Sequence, residues 1–184
     1  MDIQKAIETQ IPDIHPVYGG IRGRTLSSRK QQHAWKQIIE SGVKTIIDLR
    51  DTDKSHSLPD SCAMSGIEYF HYPVDNEATT IMRMVENLPE FCERIDRGDF
   101  YIACAMGLHR TDIALCVYWL FYGADRGLQA PEIVGYRQKD GHRPDKLLRV
   151  INMMHDYMID NGQTKMEQLT FKERKQIILQ MTKM

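Results

Sequence analysis

A cysteine and an arginine six positions apart provide the residue types for chemistry on a phosphate. The segment 102–112 reads IACAMGLHRTD, in which Cys104 and Arg110 enclose five residues. A thiolate is a strong nucleophile, and the planar guanidinium of an arginine matches two oxygens of a phosphate group. A loop that closes onto the N-terminus of a helix also directs backbone N–H groups towards one anion. The spacing therefore predicts a phosphate-binding loop with Cys104 as the nucleophile and Arg110 as the clamp.

Two further residues of this segment strengthen the prediction. Gly107 permits a backbone turn that a side chain would hinder, and the hydroxyl of Thr111 can donate a hydrogen bond to the sulfur of Cys104. A cysteine followed six residues later by an arginine is frequent by chance, so these two residues and the strand–loop–helix context decide the interpretation. The alternative is a buried cysteine at a strand end, with Arg110 in a surface salt bridge. The residues predicted to bind the phosphate are Ala105, Met106, Gly107, Leu108, His109 and Arg110.

The loop requires a strand before it and a helix after it, and strand and helix patterns alternate along the whole chain. This alternation predicts an α/β protein with a central sheet flanked by helices. Strands are predicted at residues 17–21, 43–49, 67–74 and 99–103, the last running into the loop. Helices are predicted from Ser27 or Ser28 to Glu40, and at 60–64, 80–95, 111–122, 128–138, 144–159 and 165–181. Thr80 is the expected cap of the 80–95 helix, and the apolar stripe of the last helix should pack on the domain.

Length and charge limit the function classes. The chain has 184 residues, which suits a single domain with its core at about 17–158 and a helix at about 165–181. The 24 basic and 25 acidic residues give no general attraction to nucleic acid or to anionic membranes. No apolar run is long enough to span a bilayer, and the first residues lack the apolar core of a signal peptide. We therefore expect a cytoplasmic protein without a membrane span, and its oligomeric state stays open.

The cysteines do not suggest a metal site. The chain has four, Cys62, Cys92, Cys104 and Cys116, without a CxxC pair and without a Cys/His cluster of zinc spacing. In a reducing compartment they should be free thiols, and all except Cys104 are interpreted as packing residues. We expect no metal and no cofactor.

The motif CAMGLHRT at 104–111 resembles the HCxxGxxR(S/T) loop of the cysteine-dependent protein tyrosine phosphatase superfamily, and the compact dual-specificity branch with its bacterial relatives fits best. The runs SGVKTIIDLR at 41–50 and GYRQKDGHRPD at 135–145 are similar to flanking segments of that branch. The resemblance covers roughly 17–158. It implies a single-domain fold with the loop between a central strand and a helix, and a metal-free hydrolase of phosphorylated proteins or small phosphomonoesters. The family usually has a histidine that orders the loop where this chain has Ala103.

The resemblance also implies a general acid on a loop about thirty residues before the cysteine. Asp75 follows the predicted strand 67–74 and precedes Cys104 by 29 positions (104 − 75). A carboxylic acid at this place would protonate the leaving oxygen of the substrate. Glu77 is the nearby alternative, and Asp75 can instead cap a turn or a helix.

Other charged residues have two interpretations each. Arg50 ends a core strand, where a structural ion pair is favoured over a role at the site. Arg137 and Arg143 can brace carbonyl groups of the loop or remain surface charges. His71 is expected to be a partly buried, hydrogen-bonded side chain rather than a ligand. His109 should point outward, where it contacts substrate or solvent.

The substrate stays open at this level. Met106 and Leu108 give the loop an apolar rim, which favours an aromatic or peptide phosphomonoester over a highly charged inositol phosphate. The alternatives are a phosphoinositide or inositol phosphate phosphatase, and a catalytically weak or inactive phosphate-binding pseudophosphatase that Ala103 motivates. A rhodanese-like sulfurtransferase also presents a cysteine loop before a helix, but the matching Asp75, Gly107 and Thr111 argue against it.

Overall fold

Five short strands form one sheet in the computed structural model, which describes residues 1–8, 11, 14–26, 32–50, 57–137, 143–163 and 168–184. The strands are β1 (His15–Val17), β2 (Gly20–Arg24), β3 (Thr45–Asp48), β4 (Glu68–His71) and β5 (Phe100–Cys104). Their order is β1-β2-β5-β3-β4, and all pairs except the antiparallel β1–β2 pair are parallel. β5 is central and buried throughout, which explains its continuous apolar sequence. The predicted α/β class with a central sheet is confirmed.

The first predicted strand, 17–21, is wrong, because the chain turns in its middle. Tyr18 and Gly19 both have positive φ angles, of 47° and 77°. Two consecutive residues with positive φ form the kind of tight turn that matches the twist of a hairpin. β1 and β2 therefore pair as a hairpin, with Val17 opposite Gly20.

The chain divides into two compact units, of which the first comprises Met1–Pro73 and Glu90–Thr111. It contains the whole sheet, α1 (Ile3–Ile7), α2 (Gln32–Glu40), α3 (Ser57–Met64) and most of α5 (Leu88–Arg97). One face of the sheet supplies Ile21, Ile46 and Tyr101 to a core completed by side chains of α1, α2 and α3. This face therefore holds α1 and α2 against the strands by apolar burial. The predicted cap at Ser27 or Ser28 lies outside the described residues.

The second unit comprises Val74–Pro89 and Asp112–Met184 and is helical. It holds α4 (Ala78–Glu86), most of α6 (His109–Tyr118), α7 (Asp145–Asp160) and α8 (Gln168–Met181), and α6 continues as a π-helical turn, Trp119–Gly123, and a 3₁₀ turn, Ala124–Arg126. α4 packs against α7. The ring of Phe171 in α8 stacks on His155 of α7, with centroids 3.8 Å apart. Ile178 of α8 is buried while Ile177 is 42% exposed, so the apolar stripe of this helix packs only in part.

Two predicted helices differ from the structure. The predicted helix 80–95 is two helices, because α4 ends at Glu86 and α5 begins at Leu88. Pro89 has no N–H to donate to the preceding turn, so it favours a new helix start. Thr80 lies inside α4, whose N-cap is Glu77.

The predicted helix 128–138 is absent from its described part, 128–137, which has no regular structure. Its backbone N–H groups find another partner, since those of Val134 and Gly135 donate to the buried carboxylate of Asp112. Pro131 in the same segment also disfavours a continuous helix.

None of the helices that the structure describes is both long and apolar enough to cross a lipid bilayer.

Candidate active site

The segment 104–109 connects the central strand to a helix, as the sequence predicts. Cys104 is the last residue of β5, and α6 begins at His109. The side chain of Cys104 is only 3% exposed. The backbone of Cys104 is paired with Arg24 of β2, which fixes the position of its side chain at the end of this buried strand. Arg110 and Thr111 then lie in the first turn of α6, where the N–H groups have no carbonyl partner within the helix and the helix dipole favours an anion.

The hydroxyl of Thr111 and the sulfur of Cys104 are brought together. Thr111 Oγ1 donates to Cys104 Sγ at 3.4 Å, and Thr111 is fully buried. A hydroxyl donor at this distance can stabilise negative charge on a sulfur atom. The contact predicted from the sequence between these two residues is therefore present in the geometry.

The loop is folded back on strand β2. Gly107 has a φ angle of +71°, and its N–H donates to Cys104 O at 3.2 Å. A Cβ at position 107 would lie 2.4 Å from Gly23 C and 2.7 Å from Arg24 N. The ladder also continues beyond β5, since Thr25 N donates to Cys104 O at 2.9 Å. Only glycine satisfies both the backbone angle and the close approach at this point.

A residue that the sequence interpretation missed also holds the loop. Arg22 of β2 is 2% exposed, and its Nη2 donates to Gly107 O and to Leu108 O, each at 3.1 Å. The available signal was an arginine in the middle of β2, between Ile21 and Gly23, because arginine is seldom buried without a specific partner.

The outer residues of the loop differ in exposure. Ala105 is exposed and Met106 is 47% exposed, whereas Leu108, His109 and Arg110 are half-buried. Met106 and Leu108 therefore form an apolar border, as expected.

Arg50 forms the expected structural ion pair. Its Nε donates to both oxygens of the buried Asp48, at 2.9 and 3.1 Å. Asp48 also accepts from Tyr69 Oη at 3.1 Å. His71 is exposed rather than partly buried, because β4 lies at the edge of the sheet and His71 points to solvent. Its Nε2 is 2.7 Å from Arg50 O.

The second unit contains the predicted acid. Asp75 Oδ1 lies 2.8 Å from Lys146 Nζ and accepts from its neighbour's backbone, Asn76 N, at 2.7 Å. Glu77 is exposed at the start of α4. Asp75 is thus partly shielded and paired with a cation, whereas Glu77 occupies the N-cap position of α4 without a side-chain hydrogen bond to the helix.

Arg137 and Arg143 also lie in the second unit. Arg137 Nε donates to Ile133 O at 2.6 Å, and its guanidinium pairs with Glu132. Arg143 is exposed. Arg137 therefore holds a carbonyl of its own segment, and bracing of the phosphate loop by Arg137 or Arg143 stays a prediction.

The comparison with known families identifies the type of protein. The model of a family described as DSP-PTPase phosphatase fused to NAD+ kinase matches residues 21–172. The chain belongs to this phosphatase family. The match includes the loop, so the predicted resemblance to cysteine-dependent phosphatases is confirmed.

Solved structures support the same fold. Tk-PTP in its active form superposes with a TM-score of 0.51 at 15% identity, covering 79% of this chain and 97% of that one. A putative phosphatase (DUF442) from Shewanella putrefaciens CN-32 gives a TM-score of 0.57 at 13% identity, covering 84% and 98%. At these identities the likeness concerns the fold. Among curated proteins there is no significant match.

The other cysteines of this phosphatase are buried thiols that form no disulfide. Burial, together with the negative charge of Asp48, raises the pKa of Cys62 to about 12. This thiol stays protonated at neutral pH and is a poor nucleophile. Cys62 therefore fits the packing role expected from the sequence.

Proposed function

We propose that this chain hydrolyses phosphomonoesters through a phosphocysteine intermediate, with Cys104 as nucleophile, Arg110 as phosphate clamp and Asp75 as general acid. The observation that carries the proposal is the contact of 3.4 Å between Thr111 Oγ1 and Cys104 Sγ at the start of α6. A hydroxyl that donates to a buried sulfur beside a helix N-terminus is suited to a thiolate next to a bound anion.

The proposed reaction has two steps. In the first, the thiolate of Cys104 forms a bond to phosphorus, the bond from phosphorus to the ester oxygen breaks, and Asp75 gives that oxygen its proton. In the second, water attacks phosphorus, Asp75 takes a proton from the water, and the sulfur leaves as thiolate with the hydrogen bond of Thr111. Arg110 and the loop amides stabilise the charge on the equatorial oxygens, so the scheme uses no metal or cofactor.

The ion pair of Asp75 supports its proposed role as base, and its partial exposure permits the acid role. An ion pair with Lys146 at 2.8 Å favours the carboxylate, which is the form required to activate water in the second step. The side chain keeps 19% of its exposure, so it can exchange its proton with solvent between turnovers.

The exposed border of the loop favours an aryl phosphate, including a phosphotyrosine peptide, as substrate. Met106 is 47% exposed and Leu108 is half-buried, and apolar side chains gain more from contact with an aromatic ring than from a polyanion. Because the family description names NAD+ kinase as a fusion partner, a nucleotide phosphomonoester such as NADP+ belongs in the same substrate panel.

The test compares Cys104→Ser with Cys92→Ser, a matched change at a buried cysteine of the same unit. We expect Cys104→Ser to lose hydrolysis of an aryl phosphate but to keep binding inorganic phosphate by calorimetry, because the loop amides and Arg110 remain. Cys92→Ser should retain turnover, and EDTA should not affect the wild type. Turnover by Cys104→Ser, or its loss on adding EDTA, would contradict the proposal. Phosphate binding without turnover of any phosphomonoester by the wild type would instead indicate a pseudophosphatase.

A further inference from the structure

The guanidinium of Arg22 is placed to control the shape of the phosphate loop. It lies on the strand next to β5, is 2% exposed, and donates through Nη2 to two successive loop carbonyls, Gly107 O and Leu108 O, at 3.1 Å each. We propose that Arg22 is the positioning residue that keeps this loop in its anion-binding form. The inference rests on the proposed function of the loop and adds a residue from a different strand to it.

The planarity of the peptide bond explains how a donor behind the loop orients the amides in front of it. In a trans peptide, the carbonyl of one residue and the N–H of the next residue point in opposite directions. When Arg22 holds Gly107 O and Leu108 O, the N–H groups of Leu108 and His109 must therefore point away from Arg22. These two N–H groups precede the first turn of α6, where an anion is expected.

The register of the sheet places Arg22 on the correct side. Arg22 is opposite Ile102 and Arg24 is opposite Cys104 in the parallel β2–β5 pair. Side chains alternate between the two faces of a strand, so Arg22 leaves the sheet on the same face as Cys104. The buried guanidinium also carries a permanent positive charge, which acts strongly on an anion in surroundings of low dielectric constant.

Because position 103 is alanine, Arg22 takes the role of ordering the loop that a histidine has in the resembled loops. The resembled loops usually have a histidine at this position to order the loop, whereas Ala103 of this chain is buried in the core on the opposite face, beside Tyr101. An alanine side chain has no donor to offer the loop. In this chain, Arg22 of β2 donates to the carbonyl groups of Gly107 and Leu108 instead.

The experiment measures phosphate affinity without requiring turnover. Bound inorganic phosphate should protect the thiol of Cys104 from alkylation by iodoacetamide, and the protection curve would then give a dissociation constant. We expect Arg22→Met to weaken phosphate binding by at least about tenfold, as for the loss of charge-assisted hydrogen bonds. Arg22→Lys keeps the charge but cannot hold both carbonyls with one planar group, so its dissociation constant should be intermediate.

Arg94→Met is the matched control, because Arg94 belongs to the same unit and is largely buried. It pairs with Glu68 at 2.6 Å and covers the ring of Phe70, so its loss should lower stability and leave phosphate affinity unchanged. If Arg22→Met also lowers stability and leaves phosphate affinity unchanged, Arg22 has only a structural role and the inference is overturned. If Arg22→Met does not fold, an unchanged dissociation constant in Arg22→Lys overturns it equally.

The two proposals can fail separately. If the wild type hydrolyses no phosphomonoester, the proposed function fails, and the phosphate protection of Cys104 still decides the role of Arg22. If the wild type is an active phosphatase and Arg22→Met binds phosphate normally with unchanged kcat/KM, only the positioning role fails.

Discussion

Adding a single methyl group at Gly107 should disturb the phosphate loop in two ways at once. The residue has φ of +71°, a region in which an L side chain costs about 1–2 kcal/mol. Its Cβ would also lie 2.4 Å from Gly23 C, whereas ordinary contact begins at 3.4 Å. The loop or β2 must therefore move by 1.0 Å (3.4 − 2.4). The atoms nearest to the added Cβ are backbone atoms of Gly23 and Arg24, so a rotamer change cannot relieve the overlap.

Gly66 provides a matched control for the backbone angle. Its φ is +66°, and a Cβ added there would have no atom of the described residues within 4 Å beyond its chain neighbours. Gly66→Ala should therefore cost only the backbone strain, about 1–2 kcal/mol. Gly107→Ala should add the cost of overpacking, about 1–3 kcal/mol, for a total of about 2–5 kcal/mol in the free energy of unfolding.

Urea denaturation and phosphate protection of Cys104 together measure the outcome. If the loop lifts away from β2, part of the stability cost is avoided, but the hydrogen bonds of 3.1 Å from Arg22 are lost and phosphate affinity falls. Gly66→Ala should bind phosphate as the wild type does. Equal losses of stability in the two variants, combined with equal phosphate affinity, would refute the steric argument.

Four further predictions test the proposed chemistry and the second unit. Arg110→Lys should raise the activation free energy of turnover by on the order of 2 kcal/mol, because a lysine lacks the bidentate fork. An unchanged kcat would show that Arg110 does not contact the phosphate. Asp75→Asn should slow substrates with poor leaving groups far more than activated ones, and Glu77→Gln should not; the reverse pattern would exchange their roles. Lys146→Met removes the cation 2.8 Å from Asp75 and should move the basic limb of the rate profile to higher pH, since the acid then keeps its proton longer; an unmoved limb argues against Asp75 as the acid. Burial lowers the pKa of His155. The free energy of unfolding should therefore fall as the pH drops from the ordinary histidine pKa of about 6.5 towards the lowered pKa of the folded state. His155→Phe should weaken this dependence, as measured by urea titrations above and below that pH.

Short sequence patterns were sufficient to predict the elements that depend mainly on residues close together in the chain. The apolar runs that became β3 and β5 are short and continuous, as buried parallel strands require. The identity and spacing of Cys104, Gly107, Arg110 and Thr111 were enough to expect a phosphate loop at the end of the central strand. The break between α4 and α5, by contrast, was missed although Pro89 signals it, because the apolar period continues across it.

Long-range pairing was not readable from local patterns. The segment 128–137 was expected to be helical, but Asp112 accepts hydrogen bonds from the N–H groups of Val134 and Gly135. The turn at Tyr18 also goes against local preference, because a non-glycine residue adopts a positive φ there when hairpin pairing compensates for the strain.

The sequence by itself determined which residues are proposed to attack and hold a phosphate, because cysteine, glycine, arginine and hydroxyl lie within eight consecutive positions. It did not determine what holds the loop that contains them. Arg22 is 85 positions from Gly107, and its neighbours along the chain indicate only that it is buried, not which carbonyl groups it contacts. Only the parallel pairing of β2 with β5 brings its guanidinium to the loop carbonyls, since sheet register is set by the burial of whole faces and not by any local motif.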